Sequence, residues 1–310
     1  MRTSIVIITW NSAGVLPDCV SSIRAHVPPA ERDIVIVDNA SRDTGYLDAY
    51  REAPDVRVIL SPENLGYARA VNRGLEKASG EHFLILNPDI VFRGNPLPGL
   101  AAALERDPRL GAVGPLLRDA SGAPQVAGYY RKFPTPLHYL LNDTILSRWS
   151  GIARLAGRLS HARVRETGVQ YVDQIPGAFL FFRNDAFEPG AWMNEAYFLW
   201  MEDVDFCRRL WKAGRRVAVA ADESVTHLGG TSFRQREDAW KRRVFMESYL
   251  TYVNLNAGGT VRWMFRAIMA LDSAGRLLLH ALRGFRDPAR RPALAGEFGV
   301  LKRILGRSGR

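Results

Sequence analysis

Ser4-Ile5-Val6-Ile7-Ile8 is an unbroken, largely β-branched run, the pattern of a strand buried on both faces. The apolar spacing from Leu16 to Val27 that follows it is helical. The theme then repeats: Asp33 to Val37 and Val56 to Leu60 read as strands, Tyr67 to Ala78 as a helix and Phe83 to Leu86 as a fourth strand. Strands alternating with helices predict an α/β domain built on a mostly parallel sheet. From about 111 to 170 the pattern loosens. Tyr129 to Pro134 is aromatic and basic, and a helical stretch is expected around 137–160, an insertion able to shape a binding surface. Val172 to Phe182 restores regular structure, a helix from about Glu202 to Ala213 ends at Gly214, and Arg216 to Ala220 reads as a strand. Residues 238–283 predict two amphipathic helices broken at Gly258-Gly259, and 285–310, with Pro288, Pro292 and many arginines, read as loosely ordered.

Composition narrows the class. Of 310 residues 47% are apolar and 24% charged, ordinary values for a soluble globular chain. The formal charge of +10 is not spread evenly: residues 1–240 hold 28 basic and 28 acidic side chains, residues 241–310 hold 14 and 4. The excess therefore points to an anionic surface touched by the tail and not by the body, which argues against a nucleic-acid binder. Cys19 and Cys207 are too few for a disulfide framework, and the short N-terminal apolar run predicts neither a signal peptide nor a membrane span, so a cytoplasmic setting is expected.

Candidate chemistry clusters at strand ends. Thr9-Trp10-Asn11, Asp38-Asn39-Ala40-Ser41 and Asn87-Pro88-Asp89 follow three of the predicted strands, at the edge where open parallel sheets bind ligands. Each could also be only a turn, since Asp and Asn build Asx turns. No Gly-x-Gly-x-x-Gly follows the first strand and no P-loop occurs, so a nucleotide would have to be held by strand-end side chains and a divalent cation. Glu202, Asp203 and Asp205 open a predicted helix, where they favour the helix dipole by roughly 0.3–1 kcal/mol each. The apolar approach Tyr197 to Met201 would also desolvate one of them and raise its pKa toward that of a useful base.

Taken in order, Ser4 to Asn11, Val37 to Ser41, Asn64 to Gly74, Asn87-Pro88-Asp89 and Glu202 to Arg209 resemble an inverting family 2 glycosyltransferase of the rhamnosyltransferase-like branch. The resemblance covers roughly residues 3–233. It implies the GT-A fold, a Rossmann-like sheet flanked by helices, over 1–235, with a nucleotide-sugar half of about 1–115 and an acceptor half of about 116–235; residues 236–310 form a helical, basic extension. It further implies that Thr9, Asn11, Asp38, Asn64, Gly66, Asn72, Asn87 and Gly177 bind the nucleotide sugar. Asn64 could instead cap the following helix, and Asn72 could be an exposed helical residue. Asp89 and His227 would hold Mg²⁺ or Mn²⁺, with Asn87 standing where the family has a first carboxylate. Asp203 would be the base, with Glu202 its neighbour in acceptor binding and the second choice of base, and Trp200 either a stacking surface for a sugar or part of the core.

The tail from Thr260 to Gly284 has an apolar side but too many charges to span a membrane, and predicts a helix lying in the interface of an anionic membrane or packed on the domain. The expected activity is transfer of a sugar, with dTDP-L-rhamnose the first choice of donor, to a lipid-linked saccharide in cell-envelope polysaccharide synthesis. The expected site of action is the inner face of the cell membrane. The alternatives are a membrane-associated nucleotide-sugar scaffold without catalysis, and a sugar nucleotidyltransferase, which lacks the triphosphate loop it would need.

Overall fold

The computed structural model describes residues 2–126, 128–229, 235, 237–284 and 291–306, with side chains described outside 283–284 and 291–295. The chain divides into two compact units: Met1–Lys132, Ala162–Phe198 and Glu202–Arg234 form the first, and Phe133–His161, Leu199–Met201 and Gln235–Arg310 the second. Residues 133–161 thus belong with the C-terminal helices.

The first unit is built on one mixed sheet. Its strands are β1 (Thr3–Thr9), β2 (Arg32–Asp38), β3 (Val56–Leu60), β4 (His82–Leu86), β5 (Ile90–Phe92), β6 (Leu110–Arg118), β7 (Val169–Val172), β8 (Phe179–Arg183) and β9 (Arg216–His227). They lie in the order β3-β2-β1-β4-β8-β6-β9-β5, with β7 paired to β9. β3, β2, β1 and β4 are parallel, and β1 is buried along its whole length, as a sheet covered on both faces requires. β8 inserts antiparallel between β4 and β6, and β5 and β7 flank β9 antiparallel. β9 outruns the expected strand because its pairing with β6 shifts register between Pro115 and Leu116. The bulge absorbs the polar Asp222-Glu223 and lets the strand continue to His227.

Helices α1 (Leu16–His26), α2 (Asp48–Arg51), α3 (Tyr67–Leu75) and α4 (Leu97–Arg106) connect the strands, and two further helices, α5 (Pro136–Asn142) and α6 (Ser150–Ser160), fill the loosely patterned region in the second unit. α7 (Glu202–Lys212) returns to the first unit. Gly214, at φ +79°, follows it as the expected terminator.

The second unit adds α8 (Asp238–Asn256), α9 (Gly259–Gly284) and α10 (Arg291–Leu305). Tyr139, Tyr249 and Phe265 form an aromatic cluster with ring centroids 4.7–6.3 Å apart. The expectation of a loosely ordered 285–310 gives way over 291–305 to a helix. Pro292 stands in its first turn, where a missing N–H costs no intrahelical bond, and Glu297, Val300 and Ile304 recur on its buried side. Residues 285–290 and 307–310 of the expected tail lie outside the described residues.

Candidate active site

The parallel register opposes Thr9 to Asp38 at the ends of β1 and β2, so adjacent strand ends deliver both side chains to one point. Thr9 Oγ1 donates to Asp38 Oδ2 (3.2 Å), Tyr46 Oη donates to the same oxygen (3.0 Å), and Ser41 reaches the carboxylate through its backbone N–H (2.9 Å, to Oδ1) and its hydroxyl. Asn11 sits at φ +51°. Its N–H donates to Ser41 Oγ at 2.7 Å, and its Oδ1 accepts from Arg42 N at 2.9 Å. Asp38 is buried, and both its oxygens already take protein donors. A base or ribose would have to share that carboxylate or displace Tyr46.

Asn39, which carried no expectation of its own, ties this corner to the next. It donates through Nδ2 to Asn64 Oδ1 (3.3 Å) and to the Gly66 carbonyl (3.1 Å), and accepts from Leu65 N (2.8 Å). The cap of α3 is Gly66 and not Asn64; Asn64 Oδ1 instead accepts the Gly66 N–H at 3.0 Å. Gly66 has φ +80° and ψ 172°, a region open essentially to glycine, and a Cβ there would lie 2.4 Å from the Phe198 carbonyl. Asn72 does not face this corner. It is buried, gives both amide hydrogens to Met193 O (2.9 Å) and Glu195 Oε1 (3.0 Å), accepts from Met193 N, and so braces the loop at 193–195.

Tyr67 links the remaining elements. Its hydroxyl lies 3.1 Å from Asn87 Oδ1 and 2.9 Å from the Gly177 carbonyl. Burial, and then the charges of Glu202, Asp203 and Asp89, push that hydroxyl well above the ordinary tyrosine range, so all three carboxyls act on one point. Gly177 N–H in turn donates to Asp203 Oδ2 (2.9 Å), while Val204 N–H, in the first turn of α7, donates to Oδ1 (2.8 Å). A Cβ on Gly177 would stand 3.3 Å from that of Asp203.

The two neighbouring acids differ. Burial raises the Asp203 carboxyl, and the hydrogen bonds from Gly177 and Val204 hold the rise back. Glu202 is more deeply buried, and its Oε2 finds no donor among the described residues. Burial and the adjacent Asp203 charge push its carboxyl well above the glutamate range. Asp205 is held within the unit by Tyr197 Oη (3.2 Å) and Arg209 Nε (3.1 Å). Trp200 belongs to the second unit, where its ring meets Phe245 edge-on at 6.0 Å. Trp200 and Met201 both adopt positive φ (66° and 69°) directly before Glu202, a concentration of backbone strain of the kind that collects at functional segments.

Asp89 and His227 meet because β5 pairs with β9: Ile90 opposes His227, and Leu228 N–H donates to the Asp89 carbonyl at 3.0 Å. Both side chains are buried. Asp89 Oδ1 lies 3.5 Å from His227 Nε2 and has no hydrogen-bond donor among the described residues. A buried carboxylate oxygen without a donor, facing an imidazole nitrogen, fits two ligands of one divalent cation. Among the described residues no third His, Cys, Asp or Glu joins them, so the other ligands would be diphosphate oxygens and water, the usual arrangement for a cation that accompanies a phosphate substrate. His227 Nδ1 turns to Gln125, and the Tyr129 ring stands edge-on at 5.2 Å. Sequence reading gave Gln125, Tyr67 and Tyr46 no role, and took Ser41 only as part of a strand-end cluster. Gly230, Thr231 and Ser232, which follow His227 closely in the chain, lie outside the described residues.

The sequence profile of glycosyl transferase family 2 matches residues 4–184. Over 255 residues the chain is 28% identical to the N-acetylglucosaminyl-diphospho-decaprenol L-rhamnosyltransferase of Mycobacterium tuberculosis, covering 77% of this chain and 81% of that enzyme. It is 24% identical over 210 residues to the low-salt glycan biosynthesis hexosyltransferase Agl10 of Haloferax volcanii, 66% of this chain and 60% of that one. Among solved structures, the mannosyltransferase PcManGT of Pyrobaculum calidifontis, crystallised with GDP-Man and Mn²⁺, superposes with a TM-score of 0.57 at 17% identity, over 99% of this chain and 88% of that one. GalNAc-T7, crystallised with UDP, GalNAc and Mn²⁺, gives 0.60 at 16% identity over 82% of this chain, which spans about half (48%) of that enzyme. The fold is that of the GT-A glycosyltransferases. With the profile spanning more than half its length and the strand-end carboxylates gathered in one unit, the chain belongs to glycosyl transferase family 2.

Proposed function

We propose that the chain transfers L-rhamnose from dTDP-L-rhamnose to a lipid-linked saccharide, with inversion at the anomeric carbon, in cell-envelope polysaccharide synthesis. It would work as a peripheral protein on the inner face of the cell membrane. The similarity to the mycobacterial rhamnosyltransferase supports the sugar and the lipid-linked acceptor. The observation that carries the chemistry is Asp203, a half-buried carboxylate oriented by the Gly177 and Val204 N–H groups and raised in pKa by burial.

In this reading Asp203 takes the proton of the acceptor hydroxyl as the acceptor oxygen bonds to the anomeric carbon, and the bond from that carbon to the diphosphate oxygen breaks, the electron pair leaving with the diphosphate. A base so positioned contributes roughly 10²–10⁴ in rate. Glu202 is the poorer base, because burial and the adjacent Asp203 charge push its carboxyl further up and favour its protonated form. Its place beside Asp203 suits acceptor binding. Asp89 and His227 would hold Mg²⁺ or Mn²⁺, which when bound neutralises charge on the leaving diphosphate. Thr9, Asn11 and Asp38 form the nucleoside end, and Asn39 and Tyr67 fix Gly66, Asn87 and Gly177 between the two ends.

The test is release of nucleoside diphosphate from dTDP-L-rhamnose, UDP-sugars and GDP-sugars, with and without Mn²⁺, using an undecaprenyl-diphosphate-linked N-acetylglucosamine acceptor. Selective, acceptor-dependent release of dTDP is expected. Binding of dTDP-L-rhamnose without turnover would identify a scaffold instead.

A further inference from the structure

Helix α9 is mixed on the inside and apolar on the outside. Its inward side carries Phe265 and Met269, but also Asp272 and Ser273, all buried. Asp272 accepts from Arg242 Nη2 (2.6 Å), Arg276 Nε (2.9 Å) and Ile145 N (2.7 Å), so a buried ionic network joins the apolar contacts of Phe265 in docking the helix in its own unit. On the other side Leu271 is 74% exposed, Leu282 65%, Leu278 61% and Met264 44%, with Trp263 flanking them at 71%. At 100° per residue, positions 264, 271, 278 and 282 fall within an arc of about 40° and run for about 27 Å along the axis. A stripe of that length, continuous and left exposed by the described residues of its unit, marks a surface for something else.

Charge selects the occupant. The acids of α9 and α10, Asp272 and Glu297, are both buried and both held by Arg242, with Glu297 Oε1 accepting from Arg242 Nε at 3.1 Å. The other described charged side chains on these helices are basic: Lys302 and Arg303 are exposed, Arg303 beside Glu247 of α8 at 2.9 Å, and Arg262, Arg266 and Arg276 are half-buried. Lys302 lies over the ring of Phe298 at 5.0 Å, and Phe298, Lys302 and Leu305 are all exposed, three and four residues apart on α10. With 14 basic residues against 4 acidic ones from 241 to 310, a second copy would meet its own positive field, whereas an anionic lipid surface complements it. Among the described residues no helix is long and apolar enough to cross a membrane.

We infer that Met264, Leu271, Leu278 and Leu282 of α9, flanked by Trp263, form the face that enters an anionic bilayer, with the helix lying in the plane of the interface. This rests on the peripheral membrane reading above and names the side chains that make the attachment. The basic excess of the same helices adds headgroup attraction, so binding requires both the apolar face and anionic lipid.

The experiment uses the full chain with vesicles of phosphatidylcholine, with or without phosphatidylglycerol. Wild type should sediment with the anionic vesicles and much less with the neutral ones. Leu271→Asp combined with Leu278→Asp should cut vesicle binding by roughly tenfold or more, while Val169→Asp, exposed on β7, should not. Thermal stabilisation by dTDP with Mn²⁺ should be equal in all three, which reports an intact nucleotide site independently of lipid. A fluorophore on Leu278→Cys should shift to the blue on adding anionic vesicles; Cys19 and Cys207 are buried and leave the label selective. Undiminished sedimentation of the double variant with no spectral shift would overturn the assigned face and leave the membrane reading standing. Failure of wild type to sediment would overturn both. A wild-type dimer in solution that the double variant abolishes would assign the face to a second copy and overturn the inference as well.

Discussion

Gln125 and His227 hold each other at two points: Gln125 Nε2 donates to the His227 carbonyl at 3.0 Å, and Gln125 Oε1 faces His227 Nδ1 at 3.0 Å. Because the amide nitrogen is committed to the backbone, the oxygen is the end that meets the ring, and Nδ1 must carry its hydrogen. Nε2 is then the lone-pair nitrogen, and it looks across 3.5 Å at Asp89 Oδ1. Two acceptors so arranged are stabilised by a cation shared between them, and Gln125 is the residue that fixes the tautomer. Replacing Gln125 with Ala is therefore expected to lower Mn²⁺ affinity, measured by calorimetry with dTDP present, by roughly 10–100-fold. Unchanged affinity in a folded variant would show that the amide does not orient the ring for a metal.

Asp203 keeps its orientation whether or not it is charged, since its two oxygens are fixed by the Gly177 and Val204 N–H groups. Asp203→Asn removes the ionisable group and leaves one acceptor for the two N–H donors; dTDP binding, which Thr9, Asn11 and Asp38 would provide, should be retained, and turnover should fall by roughly 10²–10⁴. For the wild type, the base must be ionised to act. Its raised carboxyl moves the acid limb of the rate profile above the ordinary aspartate value of about 3.9. An Asn variant with full turnover, or an acid limb at the ordinary value, would remove Asp203 from the role.

Glu202 gives a stability prediction with a definite sign. Its carboxyl is raised in the folded state, so the fold binds that proton more tightly than the unfolded chain does. Its contribution is fully present below the ordinary glutamate value of about 4.3 and is lost as pH rises through the higher folded value. Glu202→Gln, which cannot ionise, should melt above wild type at about pH 8 in the ligand-free protein, and the gap should close toward about pH 4. A gap that widens on acidification would mean the carboxylate is stabilised by a partner in the fold.

The residues legible in sequence were those whose surroundings are local or periodic. β1, β2 and β4 were readable because strands buried on both faces leave continuous apolar runs, and Thr9, Asp38 and Asp89 because a polar residue at the end of such a run is conspicuous. Gln125 left no such signal: its partner is 102 positions away, in a segment without periodicity. Tyr67 looked like the first apolar residue of a helix, and only the fold brings its hydroxyl to Gly177, 110 positions on. Asn72 and Trp200 were chosen for motif position, yet their contacts are with Met193 and Glu195 in one case and Phe245 in the other. The C-terminal helix escaped notice because its prolines and arginines outweigh, in composition, the few residues it buries, Glu297, Val300 and Ile304.

Gly66 joins the Thr9–Asp38 corner to the segment before α7. Its carbonyl accepts from Asn39, its N–H donates to Asn64, and the next residue, Tyr67, donates its N–H to the Phe198 carbonyl at 2.6 Å. The close approach of Phe198 to this turn leaves no room for a side chain, and φ +80° with ψ 172° excludes one on conformational grounds as well. Gly66→Ala should thus cost about 1–3 kcal/mol of stability from backbone strain alone. It should also move the Phe198 segment away from Tyr67, whose hydroxyl contacts to Asn87 and Gly177 set the geometry around Asp203. Turnover should then fall further than stability does, and still be reduced well below the variant's melting temperature. Denaturant unfolding and assays of dTDP release measure the two effects separately. Full turnover in a variant that is merely less stable would confine Gly66 to a folding role and detach the Phe198 contact from catalysis.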